Sequence, residues 1–577
     1  MNMKNIFKLS AMMLAAAFVA GCSQNDELDV TPVENEGQLT IHATASDFVS
    51  SDATDTRIAN DGANTAFEAG DEIGVFAIRS TDNKLMYQNM PLEYLNAESG
   101  WTGNENKIYY YKNTAYVAYS PYDDKLNITD ATGIEDLQAK IETYFTEKLD
   151  AAGNDQSIAY PSLDLMMASA EPADIEGSND KSLSFNFKHR FALIEIAVPV
   201  KAYLDVVKNF TYAEPFSKTF TLNGSEPVNE IKLYPLSLQT SGEAGDANAK
   251  AYNLFRFLVK PNIEYTLSGE LEYATPITLN DKTVNLPVGK YMKYTINATN
   301  AVSSYTKRDI AVGDYYYADG SIYPGPTAEQ IKSSGSTTTA TVVLDGYTPI
   351  KEDCIGIIFS TTTSSIDAEK GWKNGYVMAL KNTKSENTVW AKNKGTDETV
   401  LNNIVCDSDG KYAEPLIADK EGYTNTVAMT DSKNGYTADT HPAFFETLGY
   451  NAQYTAPESS SNWFLPSIGQ LVDIMNNLGG RPDLITATSN STGNPVTAVF
   501  VPMLTLQARL TAAGGEMGFV DGKNLRWWAY NEVSADRAWC IDMGLVANEG
   551  KAKYVLLDRD KNQTAQTFHR VRPVLAF

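Results

Sequence analysis

After residue 37, apolar and polar positions alternate along most of the chain. In the segment 38–44, Leu39, Ile41 and Ala43 share one side of an extended strand, and His42 points to the other. This period of two is typical of strands that bury one face. Many short segments of this kind, separated by polar turns, predict a mainly β protein built from antiparallel β-sandwiches.

Helical spacing interrupts the strand pattern in two places. Apolar residues from Ile134 to Leu149 recur with the helical period. Near the end of the chain, Ser467 and Gln470 have the spacing of a capping box, an apolar stripe follows, and Gly479 ends it. Strand candidates lie on both sides of this second helix, so the last part of the chain is predicted to be α+β.

The first 37 residues have the pattern of a targeting segment rather than of a folded domain. Residues 1–21 combine two lysines with an apolar run too short to span a bilayer. The run ends in small residues before Cys22, which resembles a bacterial lipobox, and an ordinary secretory signal with an incidental cysteine is the alternative. Residues 22–37 form a polar, acidic tether. We expect a surface-exposed outer-membrane lipoprotein that carries palmitate on Cys22.

The length of the chain predicts its number of domains, and its net charge excludes one class of partner. A chain of 577 residues predicts about three domains, which we place at 38–187, 188–300 and 301–577. Lys and Arg number 47 and Asp and Glu 72, which gives a net charge of −25. A surface this acidic repels phosphate backbones, so nucleic acid is excluded as a general partner.

Residues 38 to about 300 resemble the fimbrillins, which are pilus subunits made from lipoprotein precursors. Besides the lipobox, the matching segments are QLTIHAT at 38–44, the loop bearing Arg57, FEAGDEIGVFA at 67–77, AYSPY at 118–122, FKHRFA at 187–192 and LPVGKY at 286–291. The resemblance implies two tandem transthyretin-like β-sandwiches. It also implies cleavage between Arg57 and Ile58, loss of the first strand, and replacement of that strand by one from a neighbouring subunit. An ordinary solvated arginine is the alternative for Arg57.

The last part of the chain resembles a C-type-lectin-like domain. The resemblance rests on VGDYYYADG at 312–320, WFLPS at 463–467, RWWAYNEVS at 526–534 and VRPV at 571–574. The calcium-and-sugar motifs of sugar-binding lectins are absent from it, so the resemblance concerns the fold. A further domain after the two sandwiches implies a tip or accessory subunit rather than a repeating stalk subunit.

The richest aromatic cluster lies in this last domain. Aromatic faces stack on sugar rings and anchor protein interfaces, and polar neighbours supply directed contacts. The candidate ligand-binding residues are Trp528, Tyr530, Asn531, Glu532, Asp536 and Trp539. The alternative is that the tryptophans fill the domain core.

The remaining chemistry-bearing residues predict no catalytic or metal site. The four histidines lie in separate segments without ligand spacing, and no motif selects a pair of carboxylates. Cys354, Cys406 and Cys540 allow one disulfide and one free thiol, and the sequence does not choose the pair. We therefore expect no cofactor, and a secreted hydrolase is poorly supported.

These observations together predict a non-enzymatic adhesion protein. The leading hypothesis is a lipid-anchored precursor of a pilus tip or accessory subunit, assembled with other pilin subunits by donor-strand exchange. The alternative is a monomeric surface lipoprotein that binds a glycan or a host protein and does not polymerise.

Overall fold

The structure is a computed structural model. It describes residues 37–51, 66–96, 100–102, 107–175, 181–223, 230–272, 276–297, 302–335, 341–395, 398–401, 414–479, 500–518, 525–546, 551–563 and 568–577. The described chain divides into two compact units. Unit 1 holds the described residues of 37–47, 66–147 and 164–190, and unit 2 holds the rest.

Strands are the main elements of both units. In chain order they are Thr40–Ala45 (β1), Val49–Ser50 (β2), Glu72–Arg79 (β3), Leu85–Asn96 (β4), Gly100–Thr102 (β5), Thr114–Ser120 (β6), Met166–Ala170 (β7), Ala173–Asp174 (β8), Lys181–His189 (β9), Ala192–Asp205 (β10), Phe210–Ala213 (β11), Ser217–Asn223 (β12), Glu230–Ile231 (β13), Tyr234–Ser241 (β14), Lys250–Val259 (β15), Glu264–Glu272 (β16), Ile277–Asn285 (β17), Lys290–Thr295 (β18), Ser304–Lys307 (β19), Tyr315–Tyr317 (β20), Ile322–Tyr323 (β21), Ile331–Ser334 (β22), Thr341–Leu344 (β23), Cys354–Ser360 (β24), Tyr376–Ala379 (β25), Leu525–Ser534 (β26), Arg537–Val546 (β27), Lys551–Asp560 (β28), Phe568–Arg570 (β29) and Val574–Ala576 (β30).

Helices are fewer and lie mostly in the C-terminal region, residues 308–577. They are Ile134–Ala152 (α1), Tyr160–Leu163 (α2), Ser365–Glu369 (α3), Glu414–Ala418 (α4), Gly422–Thr430 (α5), Pro442–Gln453 (α6), Ile468–Asp473 (α7) and Phe500–Ala512 (α8), with a 3₁₀ turn at Ser432–Asn434 and a π-helical turn at Ile474–Leu478. Both predicted helices are present. The predicted capping box is confirmed, because Ser467 and Gln470 exchange side-chain hydrogen bonds with each other's backbone.

Unit 1 contains one sheet in the order β1-β9-β7-β6-β3-β4-β5, with β8 on β9. Ile41 of β1 and Trp101 of β5 share a core, so the sheet curves until side chains from its two ends meet. Alternate residues of the central strands face the other way. There the Tyr119 ring packs against Phe145 of α1, with 5.7 Å between ring centroids.

A β-sandwich, which we call the second sandwich, lies in unit 2 and is built mainly from strands after residue 190. One sheet has the order β14-β15-β10-β18-β2, with β11 and β19 also on β10, and the other has the order β13-β12-β16-β17. Ile194 and Phe257 from the first sheet meet Phe220 and Leu267 from the second in one core.

The sheets differ from the purely antiparallel sandwiches predicted from the sequence. β1 is parallel to β9, and β18 and β19 are both parallel to β10. A parallel pair needs a long connection between its strands. These pairs therefore join segments that are far apart in the chain, which local patterns do not reveal.

The C-terminal region combines three small sheets with helices. Their strand orders are β21-β20-β24-β25-β30, β22-β23 and β28-β27-β26-β29. The main core contains Phe359 of β24, Leu471 of α7, Leu506 of α8 and Trp527 of β26. The region is α+β, and β26 lies at its centre.

Candidate functional site

The first strand forms the edge of the sheet in unit 1. β1 pairs only with β9 in this sheet order, in parallel register from Thr40 opposite Ser182 to Ala45 opposite Phe187. The amide of Leu39 donates to the Ile108 carbonyl at 2.8 Å. β9 supplies the ladder of backbone pairs on one side of β1, and the Leu39–Ile108 bond is a single contact outside that ladder.

The side chains of β1 alternate as the sequence predicts. Leu39 and Ile41 are 3% and 7% exposed. Thr40, His42 and Thr44 are exposed on the other face, so the predicted orientation of His42 is confirmed. The strand therefore contributes a row of apolar side chains to the core and presents a polar row to solvent.

The apolar residues of β1 share a core with those of the neighbouring strand. Leu183, Phe185 and Phe187 of β9 are at most 1% exposed and belong to the same cluster as Ile41 and Trp101. We call Trp101, Leu183, Phe185 and Phe187, the four of these residues that do not belong to β1, the strand groove. Without β1, the edge of β9 and the apolar residues beside it would lose their cover.

The segment after β1 supplies a second short edge strand, in unit 2. Val49 and Ser50 of β2 pair in parallel with Lys290 and Tyr291 of β18. The amide of Val49 donates to the Gly289 carbonyl at 3.0 Å. Residues 38–51 thus add an edge strand to one sheet in each unit.

The predicted processing and lipidation residues lie outside the described residues. Cys22 falls within 1–36, and Arg57 and Ile58 fall within 52–65. Arg57 lies six residues beyond the last described residue of the segment 37–51. Cleavage there and lipidation at Cys22 both stay predictions.

The predicted aromatic binding cluster is inside the C-terminal region. Trp528 and Tyr530 have no exposed surface, and Trp539 is 3% exposed. The Trp528 Nε1–H donates to the Thr388 carbonyl at 2.8 Å, and the Tyr530 hydroxyl donates to Asp419 Oδ2 at 2.7 Å. This burial favours the core role that the sequence left open, because rings without exposed surface cannot stack on an external sugar.

Asn531 belongs to the same buried network. Its Nδ2 donates to Asp419 Oδ2 at 2.7 Å, and its Oδ1 accepts from the Ile468 amide at 2.7 Å. The Ser467 hydroxyl donates to the Asp419 carbonyl at 2.6 Å. Burial raises the pKa of Asp419. The network fixes the start of α7 beside β26, which is a structural task.

The other two polar candidates are Glu532, near the end of β26, and Asp536, between β26 and β27. Glu532 is 4% exposed and contacts the ammonium of Lys561, whereas Asp536 is exposed. The Asp536 carbonyl accepts from the Lys561 amide at 3.0 Å. Of the six candidates, only the Asp536 side chain is available to an external ligand.

Sequence reasoning did not select the partners of these candidates. Asp419, Glu398, His441 and Lys561 come from four separate segments, and none lies in a recognisable motif. Folding brings Glu398 and Lys561 to Glu532, and it brings His441 to Glu398. No local pattern could have identified this group, because its members meet only in the folded chain.

The two described cysteines of the C-terminal region are buried free thiols. Burial raises the pKa of Cys354 and of Cys540 to about 12, so both are protonated at neutral pH. The predicted disulfide is therefore not formed between these two. Cys406 lies outside the described residues. Within the described ranges, none of the helices has the length and apolar character needed to cross a membrane.

Known proteins resemble the chain over most of its length. The family model described as Fimbrillin-like matches residues 56–314. The curated protein "Putative fimbrium tip subunit Fim1C" of Bacteroides ovatus is 24% identical over 482 residues, which is 81% of this chain and 86% of that protein. A crystal structure of a fimbrial protein from Bacteroides ovatus has a TM-score of 0.49 and 19% identity, covering 94% of this chain and 99% of that one.

Proposed function

We propose that this chain, whose residues 56–314 belong to the fimbrillin-like family, is a non-enzymatic adhesion subunit of a surface fimbria. The family match covers almost all of unit 1 and of the second sandwich. The curated relative that matches 81% of the chain carries the name of a fimbrium tip subunit, which supports the same role here.

The position of β1 carries the mechanism that we propose. Cleavage after Arg57 separates residues 38–51 covalently from the rest of the chain. Loss of β1 then uncovers the strand groove and the edge of β9. A strand from a neighbouring subunit restores the backbone hydrogen bonds and refills the groove with alternate side chains. The same cut detaches β2 from β18.

A tip or accessory position is the second part of the proposal. β30 pairs with β25, and Phe577 packs on Tyr316 with 4.7 Å between ring centroids. Val574 and Leu575 have no exposed surface. This strand cannot be donated to another subunit without opening the core, so the chain is better suited to accept a strand than to supply this one.

The proposed location follows from the first residues of the chain. Signal removal before Cys22 and acylation of that cysteine would anchor the precursor in the outer membrane, facing outwards. Cleavage after Arg57 would then release the subunit from the lipid and open the groove in the same step.

N-terminal sequencing of this subunit in purified fimbriae tests the proposal. We expect the assembled subunit to begin at Ile58. Arg57→Ala should keep the precursor lipidated at Cys22 and remove it from SDS-resistant assemblies. Arg79→Ala is the matched control, since Arg79 forms an exposed ion pair with Asp82 and should not affect processing.

Two results would contradict the proposal. An assembled subunit that begins at Cys22 would exclude removal of the first strand. A lipidated monomer never found in fimbriae would instead favour the alternative, an anchored protein that binds a glycan or a host protein, and a glycan array would then be the next measurement.

A further inference from the structure

A lysine without exposed surface lies just after β28, between two glutamates. The Lys561 ammonium contacts the Glu532 carboxylate and lies 3.7 Å from Glu398 Oε1. The two glutamate side chains are only 2% and 6% exposed. The ring of Trp390 covers the same ammonium, with 4.9 Å from Nζ to the ring centroid. An amine and a carboxyl group are thus held in contact in a dry, partly aromatic site.

Backbone hydrogen bonds fix the lysine in this place. The Lys561 amide donates to the Asp536 carbonyl at 3.0 Å. Its carbonyl accepts from the amides of Trp390 and Ala391 at 2.8 and 3.2 Å. The nitrogen can therefore approach the carboxyl carbon of Glu532 without rearranging the backbone, which favours reaction within the chain.

Further groups surround the Glu532 carboxylate. The backbone N–H of Glu398 lies 3.2 and 3.1 Å from its two oxygens. Nε2 of His441 lies 2.9 Å from Glu398 Oε1. The site thus contains an amine, a carboxyl group, a backbone donor aimed at the carboxyl oxygens and a second carboxylate close to the amine.

We propose that Lys561 and Glu532 form an intramolecular isopeptide bond at this site. The ammonium first gives one proton to Glu532, which leaves a neutral amine beside a carboxylic acid. Nζ then attacks Cδ, and the backbone N–H of Glu398 donates to the oxyanion that develops. The Glu398 carboxylate takes a proton from the nitrogen and passes it to the departing hydroxyl. The C–N bond forms, the C–O bond breaks and one water leaves.

The surroundings favour this condensation over a permanent ion pair. Keeping an ammonium and a carboxylate charged away from water is costly, and the first proton transfer removes both charges. Burial acts to raise the pKa of Glu398, but its interactions with His441 and Lys561 outweigh that effect and lower the pKa, so this carboxylate is ionised and can accept a proton. No oxidant, reductant or further reactant is needed.

The bond would close a loop that contains the whole of β27 and β28. Glu532 lies on β26 and Lys561 follows β28, so the cross-link would tie the first strand of this three-strand meander to the end of the third. The inference does not depend on the proposed fimbrial role, because it follows only from this buried site.

Peptide mapping of the purified full-length chain tests the inference. Trypsin should not cleave after an acylated Lys561, so we expect a branched peptide that joins residues 527–537 to residues 560–570 and is one water lighter than the two together. Recovery of residues 527–537 only as a linear peptide, with cleavage after Lys561, would overturn the proposal.

Two variants and a control separate the parts of the mechanism. Glu398→Gln should reduce the yield of the branched peptide on the order of tenfold or more, and Lys561→Arg should abolish it. Glu446→Gln is the control, because Glu446 bonds to Thr383 and Lys384 instead, and its branched peptide should persist. An undiminished yield in Glu398→Gln would overturn the role of Glu398. The wild-type map decides the bond even if Lys561→Arg does not fold.

Discussion

Individual titratable side chains are buried deep in the C-terminal region. Arg572 has no exposed surface, donates to the Ala379 carbonyl at 3.1 Å and lies over the Trp527 ring. Burial lowers the pKa of Arg572 to about 10, so this arginine keeps its charge at neutral pH.

His569 is also fully buried and stacks on Trp528, with 4.4 Å between ring centroids. Burial lowers the pKa of His569 to about 3, which makes the stability of this region depend on pH.

The change His569→Gln should weaken that dependence. The unfolded chain protonates this histidine below a pKa of about 6.5, and the folded chain does so only near pH 3. The wild type therefore keeps this contribution above pH 6.5 and loses about 1.4 kcal/mol of unfolding free energy per pH unit between these values. We expect the variant to lose that slope. Denaturant unfolding followed by tryptophan fluorescence measures it, since six of the seven tryptophans lie in the C-terminal region.

His42→Gln is the matched control for this measurement. His42 is exposed on β1, and its replacement should leave the slope of the fluorescence-detected transition unchanged. Equal slopes for wild type and His569→Gln between pH 4 and 6, within about 0.3 kcal/mol per unit, would show that His569 is not kept neutral by the fold.

The aromatic cluster shows which site properties a sequence can and cannot reveal at this scale. The residues themselves are conspicuous, and their position on a strand follows from the pattern. Their burial does not follow, because Trp527 belongs to one core and its neighbour Trp528 to another. β26 is covered on both faces, so its consecutive residues are buried. An alternating pattern identifies the buried residues only in strands that have one solvent-exposed face.

At the scale of elements, β1 is the best predicted part of the proposed site. Its alternation identified the buried and exposed residues without knowledge of its partner. The partner could not be predicted, because β9 lies more than a hundred residues away and pairs in parallel. The same holds for the two predicted helices. Residue spacing and the capping box predicted where these helices form, but only the folded chain shows which elements they pack against.

Replacing an inward residue of β1 should loosen this strand selectively. Ile41→Ser removes a buried apolar side chain with which β1 covers the strand groove, which costs about 2–4 kcal/mol at a well-packed site. Because β9 is the one strand that pairs with β1 in the described sheet, the loss should appear as local opening. We expect hydrogen exchange across residues 38–45 and 181–189 to rise on the order of tenfold or more, measured by mass spectrometry.

Thr40→Ser is the control on the outward face of the same strand. Thr40 is exposed, so its exchange pattern should match that of the wild type. If Ile41→Ser also left exchange in β9 unchanged, β1 would not be the cover of the strand groove, and the proposed exchange of strands would lose its structural basis.

At the scale of the whole molecule, unit 2 joins the second sandwich to the C-terminal region through a continuous interface. Tyr212 of β11 shares an apolar cluster with Tyr316 and Trp463. Its hydroxyl accepts from Arg308 at 2.7 Å, and Arg308 also binds both oxygens of Asp314 at 2.8 and 2.9 Å. The connecting segment is itself a strand, β19, paired with β10. Such a junction would transmit load directly from the sandwich to the C-terminal region.

Arg308→Leu should therefore uncouple the two parts of unit 2. Asp314 is 1% exposed and accepts hydrogen bonds from the backbone amides of Ala311 and Gly325. Loss of its bidentate guanidinium partner leaves this buried carboxylate without its ion pair to Arg308, which costs about 3 kcal/mol. We expect β15 of the sandwich and β24 of the C-terminal region to lose exchange protection at one denaturant concentration in the wild type and at two in the variant. Lys232→Ala removes an exposed ion pair with Asp155 and should keep the single transition. Separate transitions in the wild type would mean that the interface does not couple the second sandwich to the C-terminal region. The C-terminal region would then unfold as an independent domain rather than together with the sandwich.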